Sequence, residues 1–94
     1  MIKSFADKNT EMIWNRKFVK KFSPQLAEIA RECLVMLHNA HHWNDLRFPP
    51  SNNLHKLEGD RKGQSSISIN KQFRICFIWG KDNHAYEVEI VDYH

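Results

Sequence analysis

Three stretches of this chain carry side chains suited to acid–base work on an anion. The chain's last residues are Asp92-Tyr93-His94. The connection Asn53-Leu54-His55-Lys56-Leu57-Glu58-Gly59-Asp60-Arg61 is rich in groups that donate to anions, and Arg74 lies within Phe73-Arg74-Ile75-Cys76-Phe77. Together they offer two imidazoles, a phenol and several cations, with few carboxylates and no cluster of thiols. That inventory suits cleavage of an RNA phosphodiester without a metal. The 2′-hydroxyl must lose a proton, the 5′-oxygen must gain one, and the crowded phosphate needs cationic support. Histidine is the side chain that handles protons near neutral pH.

Other groupings have rival readings. His38 and His42 stand one helical turn apart, a spacing that metal ligands use. No Glu occupies the His-Glu-x-x-His position and no third ligand lies near in sequence, so surface histidines at a fraying helix end are the plainer reading. Arg16, Lys17, Lys20 and Lys21 make either a solvated face or a surface for ribosomal RNA or an acidic partner segment. Trp14, Trp43 and Trp79 are core edges or an apolar patch for a protein partner.

The chain is 94 residues long, short enough for one domain with one modest core. Its net charge of +3 and pI near 9.0 exclude an acidic, chaperone-like surface and lean toward polyanions. Cys33 and Cys76 form no Cys-x-x-Cys and read as buried free thiols of a reducing cytosol, although one disulfide between them is possible. Residues 1–7 hold no apolar signal core. The longest apolar runs, 33–37 and 75–79, fall far short of the roughly 20 residues a bilayer span needs. A soluble, cytoplasmic protein without a membrane partner is expected.

The elements that must position these groups are legible in outline. The first half reads as helical and the second as stranded, an α+β arrangement. Residues 2–5 suit a short first strand, and residues 8–14 a short helix with Asp7 as its N-cap. Ser23-Pro24 opens the clearest helix: Ser caps, and Pro at the first helical position lacks only an N–H that needs no partner there. Leu26, Ile29, Ala30, Cys33, Leu34, Leu37 and His41 then recur at steps of three and four, an apolar stripe to lie on a sheet. Residues 44–63 form a long polar connection, of a length that is usually functional or disordered.

The rest reads as an antiparallel meander. A three-residue turn at Asn70-Lys71-Gln72 opposes Ile67 to Ile75, and a four-residue loop over 80–83 opposes Trp79 to His84. The second choice sets Phe77 against Tyr86, Ile75 against Val88 and Phe73 against Ile90. The core face is then Ile67, Ile69, Phe73, Ile75, Phe77, Tyr86, Val88 and Ile90. The other face carries Ser66, Ser68, Arg74, Cys76, Glu87 and Glu89, and is solvated or binds. In that register Arg74 opposes Glu89, which makes a cross-strand ion pair the plain reading of Arg74. Lys71 opposes Asp92, and Tyr93 shares the side of Arg74.

Several of these residues carry a resemblance. Leu46-Arg47-Phe48-Pro49-Pro50, Asn53-Leu54, Gly59-Asp60-Arg61, Gly63-Gln64, Ser66-Ile67, Ile69-Asn70, Phe73-Arg74-Ile75-Cys76-Phe77 and Val88-Glu89-Ile90-Val91-Asp92-Tyr93-His94 resemble the HigB (plasmid-maintenance killer) toxins of the RelE superfamily. Weaker similarity over residues 1–7 extends the match to nearly the whole chain. The resemblance implies a type II toxin–antitoxin pair. Its fold would be a single RelE-like α+β domain, with two or three helices on one face of a twisted, mainly antiparallel sheet of about four strands. It also implies an mRNA interferase that enters the ribosomal A site. Such an enzyme cuts translated mRNA by metal-free 2′-hydroxyl attack, leaving a 2′,3′-cyclic phosphate and a 5′-hydroxyl, with no cofactor.

Carried over residue by residue, the resemblance makes His94 the general base or acid. Tyr93 orients or stacks on a base, and Asp92 supports the imidazole. His55 stands at the position before Gly-Asp-Arg and is the second acid–base group. Arg74 would hold the scissile phosphate, with Arg61 and Asn70 in support. Relatives often carry Lys where this chain has Glu58 and Arg where it has Ser68, and Lys56 or Lys71 are the cations left to compensate. The implied partners are a helix-turn-helix antitoxin of HigA type and mRNA on the ribosome, in the A site of the small subunit. DNA would be met only through the antitoxin. Two non-catalytic readings stand beside the nuclease: a module that blocks the ribosome by occupancy, and an interaction protein that corepresses an operon with its partner.

Overall fold

The computed structural model describes residues 1–93; His94 lies outside the described residues. Helix α1 spans Lys8–Trp14 and helix α2 Pro24–Asn39. Four strands follow, β1 (His55–Lys56), β2 (Ser65–Ser68), β3 (Phe73–Trp79) and β4 (Ala85–Asp92). They form one antiparallel sheet in the order β1-β2-β3-β4. Both helices pack on one face of this open sheet, closing a core around Leu34, Leu37, Ile67, Ile75, Phe77 and Val88, all fully buried. Each such side chain stabilises the fold by about 1.5–3 kcal/mol relative to exposure.

Local chemistry sets the helix ends. The Ser23 hydroxyl accepts a 3.1 Å hydrogen bond from the Leu26 amide, and Pro24 takes the first helical position, as expected. The stripe on α2 is narrower than its spacing suggests. Ala30, Leu34 and Leu37 are buried, but Ile29 is 43% exposed, and the helix ends before the exposed His41. Asp7 precedes α1 but makes no capping hydrogen bond. Thr10, fully buried, instead ties α1 to the sheet by accepting a 3.0 Å bond from the Ile90 amide.

The expected first strand is a pair of bridges. Ile2 and Phe5 meet Ala85 and Val88 in parallel, so the N-terminal segment covers the outer edge of β4. The register of β2 on β3 follows expectation, with Ile67 opposite Ile75. That of β3 on β4 does not. Trp79 faces Ala85 rather than His84, Ile75 faces Ile90 rather than Val88, and Phe73 faces Asp92 rather than Ile90. A bulge between Cys76 and Ile78 absorbs the difference, with Glu87 in a left-handed conformation at φ 51.

The consequences are specific. Ala85 takes the inward position expected of Tyr86, and Tyr86 turns out to donate to Asp82. Arg74 faces Val91, so the expected Arg74–Glu89 pair is not made. Lys71 does not oppose Asp92. Beyond the bulge the shift is an even number of residues, so the side chains from Val88 to Tyr93 keep their expected face.

Residues 44–63 are ordered rather than open. Three single-turn helices (Trp43–Arg47, Pro50–Asn52 and Gly59–Arg61) and β1 hang on the buried side chains Leu46, Asn52 and Leu57. The indole N–H groups of Trp43 and Trp79 bond Ser65 and Asn83, and all three tryptophans are half-buried core edges. Cys33 and Cys76 are free thiols.

Candidate active site

The site begins with a turn. The Asn52 side chain, 4% exposed, donates to the carbonyls of Leu46 and Phe48 and so anchors the turn Pro50–Asn52. Asn53 follows in the left-handed conformation, φ 47, which Asn tolerates better than most residues. That conformation aims its carbonyl at two functional groups. The carbonyl oxygen accepts a 2.9 Å bond from Arg74 Nη2 and lies 2.9 Å from His55 Nδ1.

Arg74 is fixed from the other side by the sheet. Its Nε donates to the Ser66 hydroxyl at 2.9 Å, and Ser66 is fully buried on β2. Its guanidinium stands 5.4 Å from the centre of the Tyr93 ring and 3.2 Å, through Nη2, from His55 Nδ1. Arg74, His55 and Tyr93 thus meet at one place although they come from β3, β1 and the residue after β4. Strand parity explains the meeting. His55 pairs with Ser66, which pairs with Cys76, and all lie on the face opposite the helices.

The geometry leaves His55 two proton arrangements. A protonated Nδ1 donates to the Asn53 carbonyl, and Nε2 then carries the lone pair a general base needs. A bare Nδ1 accepts from Arg74, and Nε2 then carries the proton. Among the described residues, Arg74 Nη1 has no protein partner, so its N–H groups remain for an anion.

The remaining expected residues divide. Lys71 and Asn70 line the same groove as Arg74 and Asn53, a cleft of about 650 Å³ that also reaches Cys33 and Met36 of α2. Asn70 has a structural duty there, since its side-chain oxygen accepts 2.8 Å bonds from the Gln72 and Phe73 amides. Arg61 is occupied by Glu89 at 3.2 Å and by Gln64 at 3.1 Å. Lys56 points to the helix side of the sheet, where its ammonium sits 5.4 Å over the Trp43 ring, so it is not brought to Arg74. Asp92 accepts a 3.1 Å bond from Gln72 Nε2 on the side away from Tyr93. The expected role of His94 falls outside the described residues.

His38 and His42 hold backbone rather than pairing as ligands. His38 Nδ1 accepts from the Ile2 amide at 3.1 Å, and burial holds its pKa below the ordinary value, helped by the nearby N-terminus. His42 caps the Trp43–Arg47 turn together with Asp45. Burial pushes the thiols of Cys33 and Cys76 up, away from thiolate reactivity. Sequence reasoning missed the Asn53 carbonyl and the use of Ser66. The signal for Ser66 was present, because it shares the face of Arg74.

The chain is 38% identical over 80 residues to Toxin HigB-1 of Vibrio cholerae, covering 84% of each protein. It is 32% identical over 74 residues to an uncharacterized protein of Haemophilus influenzae, covering 79% of this chain and 71% of that one. In structure it is similar to a chain of the YoeB–YefM complex from Staphylococcus aureus, with a TM-score of 0.62 at 16% identity, covering 100% of this chain and 98% of the other. It is also similar to a YafQ mutant from E. coli, with a TM-score of 0.64 at 12% identity, covering 98% and 93%. The family model for the RelE-like toxin HigB of type II toxin–antitoxin systems matches residues 3–94, and with that match over nearly its whole length the chain belongs to the HigB family of RelE-like toxins.

Proposed function

We propose that this toxin is an mRNA endonuclease that works in the cytoplasm on translated message in the ribosomal A site, without a metal. The observation that carries the reading is the meeting of His55 and Tyr93 around one guanidinium, that of Arg74. Arg74 Nη1 takes the non-bridging oxygens of the scissile phosphate, where negative charge builds in the transition state. One imidazole of the pair His55 and His94 accepts the 2′-hydroxyl proton as its oxygen attacks phosphorus. The other gives a proton to the 5′-oxygen as its bond to phosphorus breaks. The products are a 2′,3′-cyclic phosphate and a 5′-hydroxyl. Tyr93 stacks on a base beside the phosphate, and Asp92 supports His94. Lys71 and Asn70 extend the contact along the groove.

A helix-turn-helix antitoxin of HigA type neutralises the toxin and carries it to operator DNA, which the toxin does not bind alone. The YoeB chain resembled in fold comes from a complex with YefM, which is in keeping with such a partner.

The test is induced expression with sequencing of mRNA ends. Growth arrest accompanied by new 5′-hydroxyl ends inside codons, both abolished in Arg74→Ala and His94→Ala, is the expected result. Arrest without new ends replaces cleavage by occupancy of the ribosome. Full toxicity of both variants overturns the assigned site.

A further inference from the structure

The segment between the helices is built to hold out an aromatic ring among cations. Helix α1 ends in a backbone motif in which the Arg16 amide bonds the Ile13 carbonyl and the Lys17 amide bonds the Met12 carbonyl, with Arg16 left-handed at φ 61. Val19 and Phe22 then plug into the core at 8% and 7% exposure, and the Phe22 ring packs edge-on against Phe73 at 5.7 Å. Phe18 is fixed between these anchors yet is 77% exposed, the highest among the exposed large hydrophobic residues. A ring held out by a braced backbone is a different matter from a stray surface apolar residue.

Beside Phe18 runs a groove of about 330 Å³ between the α1 end and one face of α2. Ile13, Val19, Pro24 and Ala27 supply apolar surface, and Arg16, Lys17 and Arg31 stand around it. Arg16, Lys17, Lys20 and Lys21 are exposed and make no ion pair among the described residues. Arg31 is held in place by its Nε bond to the Trp14 carbonyl at 3.3 Å. The lining shares no residue with the cleft beside Arg74.

We infer that this groove docks an acidic amphipathic helix of the antitoxin, with Phe18 and an apolar residue of that helix packed together and Lys17, Lys20 and Arg16 facing its carboxylates. The inference rests on the antitoxin partnership proposed above and adds the surface it uses. Two features favour a helix over RNA. Phe18 is the one aromatic ring in the lining, and the rest of its apolar surface, from Ile13, Val19, Pro24 and Ala27, is aliphatic and suited to a leucine or isoleucine rather than a flat base. Glu28 also stands in the groove wall, where it repels a phosphate backbone, while a helix can set its own acids on the far rim.

The test uses the full chain and the antitoxin, taken as the product of the neighbouring gene that restores growth on co-expression. Binding is measured by calorimetry for the parent, Phe18→Ala, Phe18→Leu and the charge reversal Lys17→Glu/Lys20→Glu, each with an unchanged melting temperature. Phe18→Ala and the charge reversal are expected to weaken antitoxin binding at least about tenfold, and Phe18→Leu by less. Toxicity without antitoxin stays at the parent level. Unchanged antitoxin affinity overturns the inference. So does a loss of ribosome binding and toxicity with antitoxin affinity intact, which assigns the surface to RNA. Failure of the nuclease reading shows separately, as growth arrest without new 5′-hydroxyl ends in the mRNA.

Discussion

Ser66, with no exposed surface, accepts a 2.9 Å hydrogen bond from Arg74 Nε and so sets the plane of the guanidinium. The central cation of the site is therefore aimed by a hydroxyl inside the sheet. Ser66→Ala removes that acceptor and leaves Nε to find another partner. Stability is expected to fall by about 1–3 kcal/mol, and cleavage of ribosome-bound mRNA by about tenfold. Arg74→Lys is expected to cost more, about a hundredfold or beyond, because an ammonium cannot bond Ser66, Asn53 and a phosphate in one plane. Chemical denaturation with parallel cleavage assays checks both, and Ser66→Ala at parental activity refutes the aiming role.

Asn53 acts through its carbonyl and its left-handed backbone rather than through its side chain. Asn53→Gly keeps that conformation at no steric cost and is expected to keep near-parental activity. Asn53→Val places a β-branched residue at positive φ, at a cost of about 1–3 kcal/mol, and swings the carbonyl away from Arg74 and His55. Its cleavage rate is expected to fall at least about tenfold. Equal activity of the two variants contradicts a conformational role.

These two residues mark the line between what was legible in the sequence and what was not. The long helix, its Ser-Pro start and the β2–β3 register followed from periodicity and turn chemistry, which are local. That Tyr93 shares the side of Arg74 also followed, because parity survives an even shift in register; their contact did not, because it needs the shift that sets Arg74 against Val91. The Asn53 turn was not legible, since it depends on Asn52 reaching back to Leu46 and Phe48 from a buried position. The β3–β4 register failed because apolar pairing alone does not announce a bulge. Arg61 is held by a partner 28 residues away that only the folded sheet supplies.

The Arg61–Glu89 pair limits the positive charge that this side of the sheet can offer to an anion. Both side chains are about one-third exposed, so the pair itself adds only up to about 1 kcal/mol of stability. Glu89→Gln keeps the shape and frees the charge. Affinity for ribosomes is expected to rise, with a steeper loss of binding as salt increases, because one more cation is available to phosphate. Filter binding across a salt series reads this directly. An unchanged slope means that Arg61 does not reach RNA.

His38 gives the fold a pH dependence of known sign. Its Nδ1 must be bare to accept the Ile2 amide, and burial with the adjacent N-terminus lowers its pKa in the folded protein. The unfolded chain therefore binds the proton at higher pH than the folded one. The stabilising contribution is present above the ordinary histidine value of about 6.5 and is lost as pH falls through it. Below that range the N-terminal segment is expected to loosen from β4, exposing the edge it covers. Protection against amide exchange, taken relative to the intrinsic rate at each pH, should fall first at Lys3 and Ala6, whose N–H groups bond Ala85 and Val88. His38→Gln keeps a side-chain acceptor that does not titrate and should flatten this dependence. A variant whose protection at Lys3 still falls below pH about 6.5 would place the switch elsewhere.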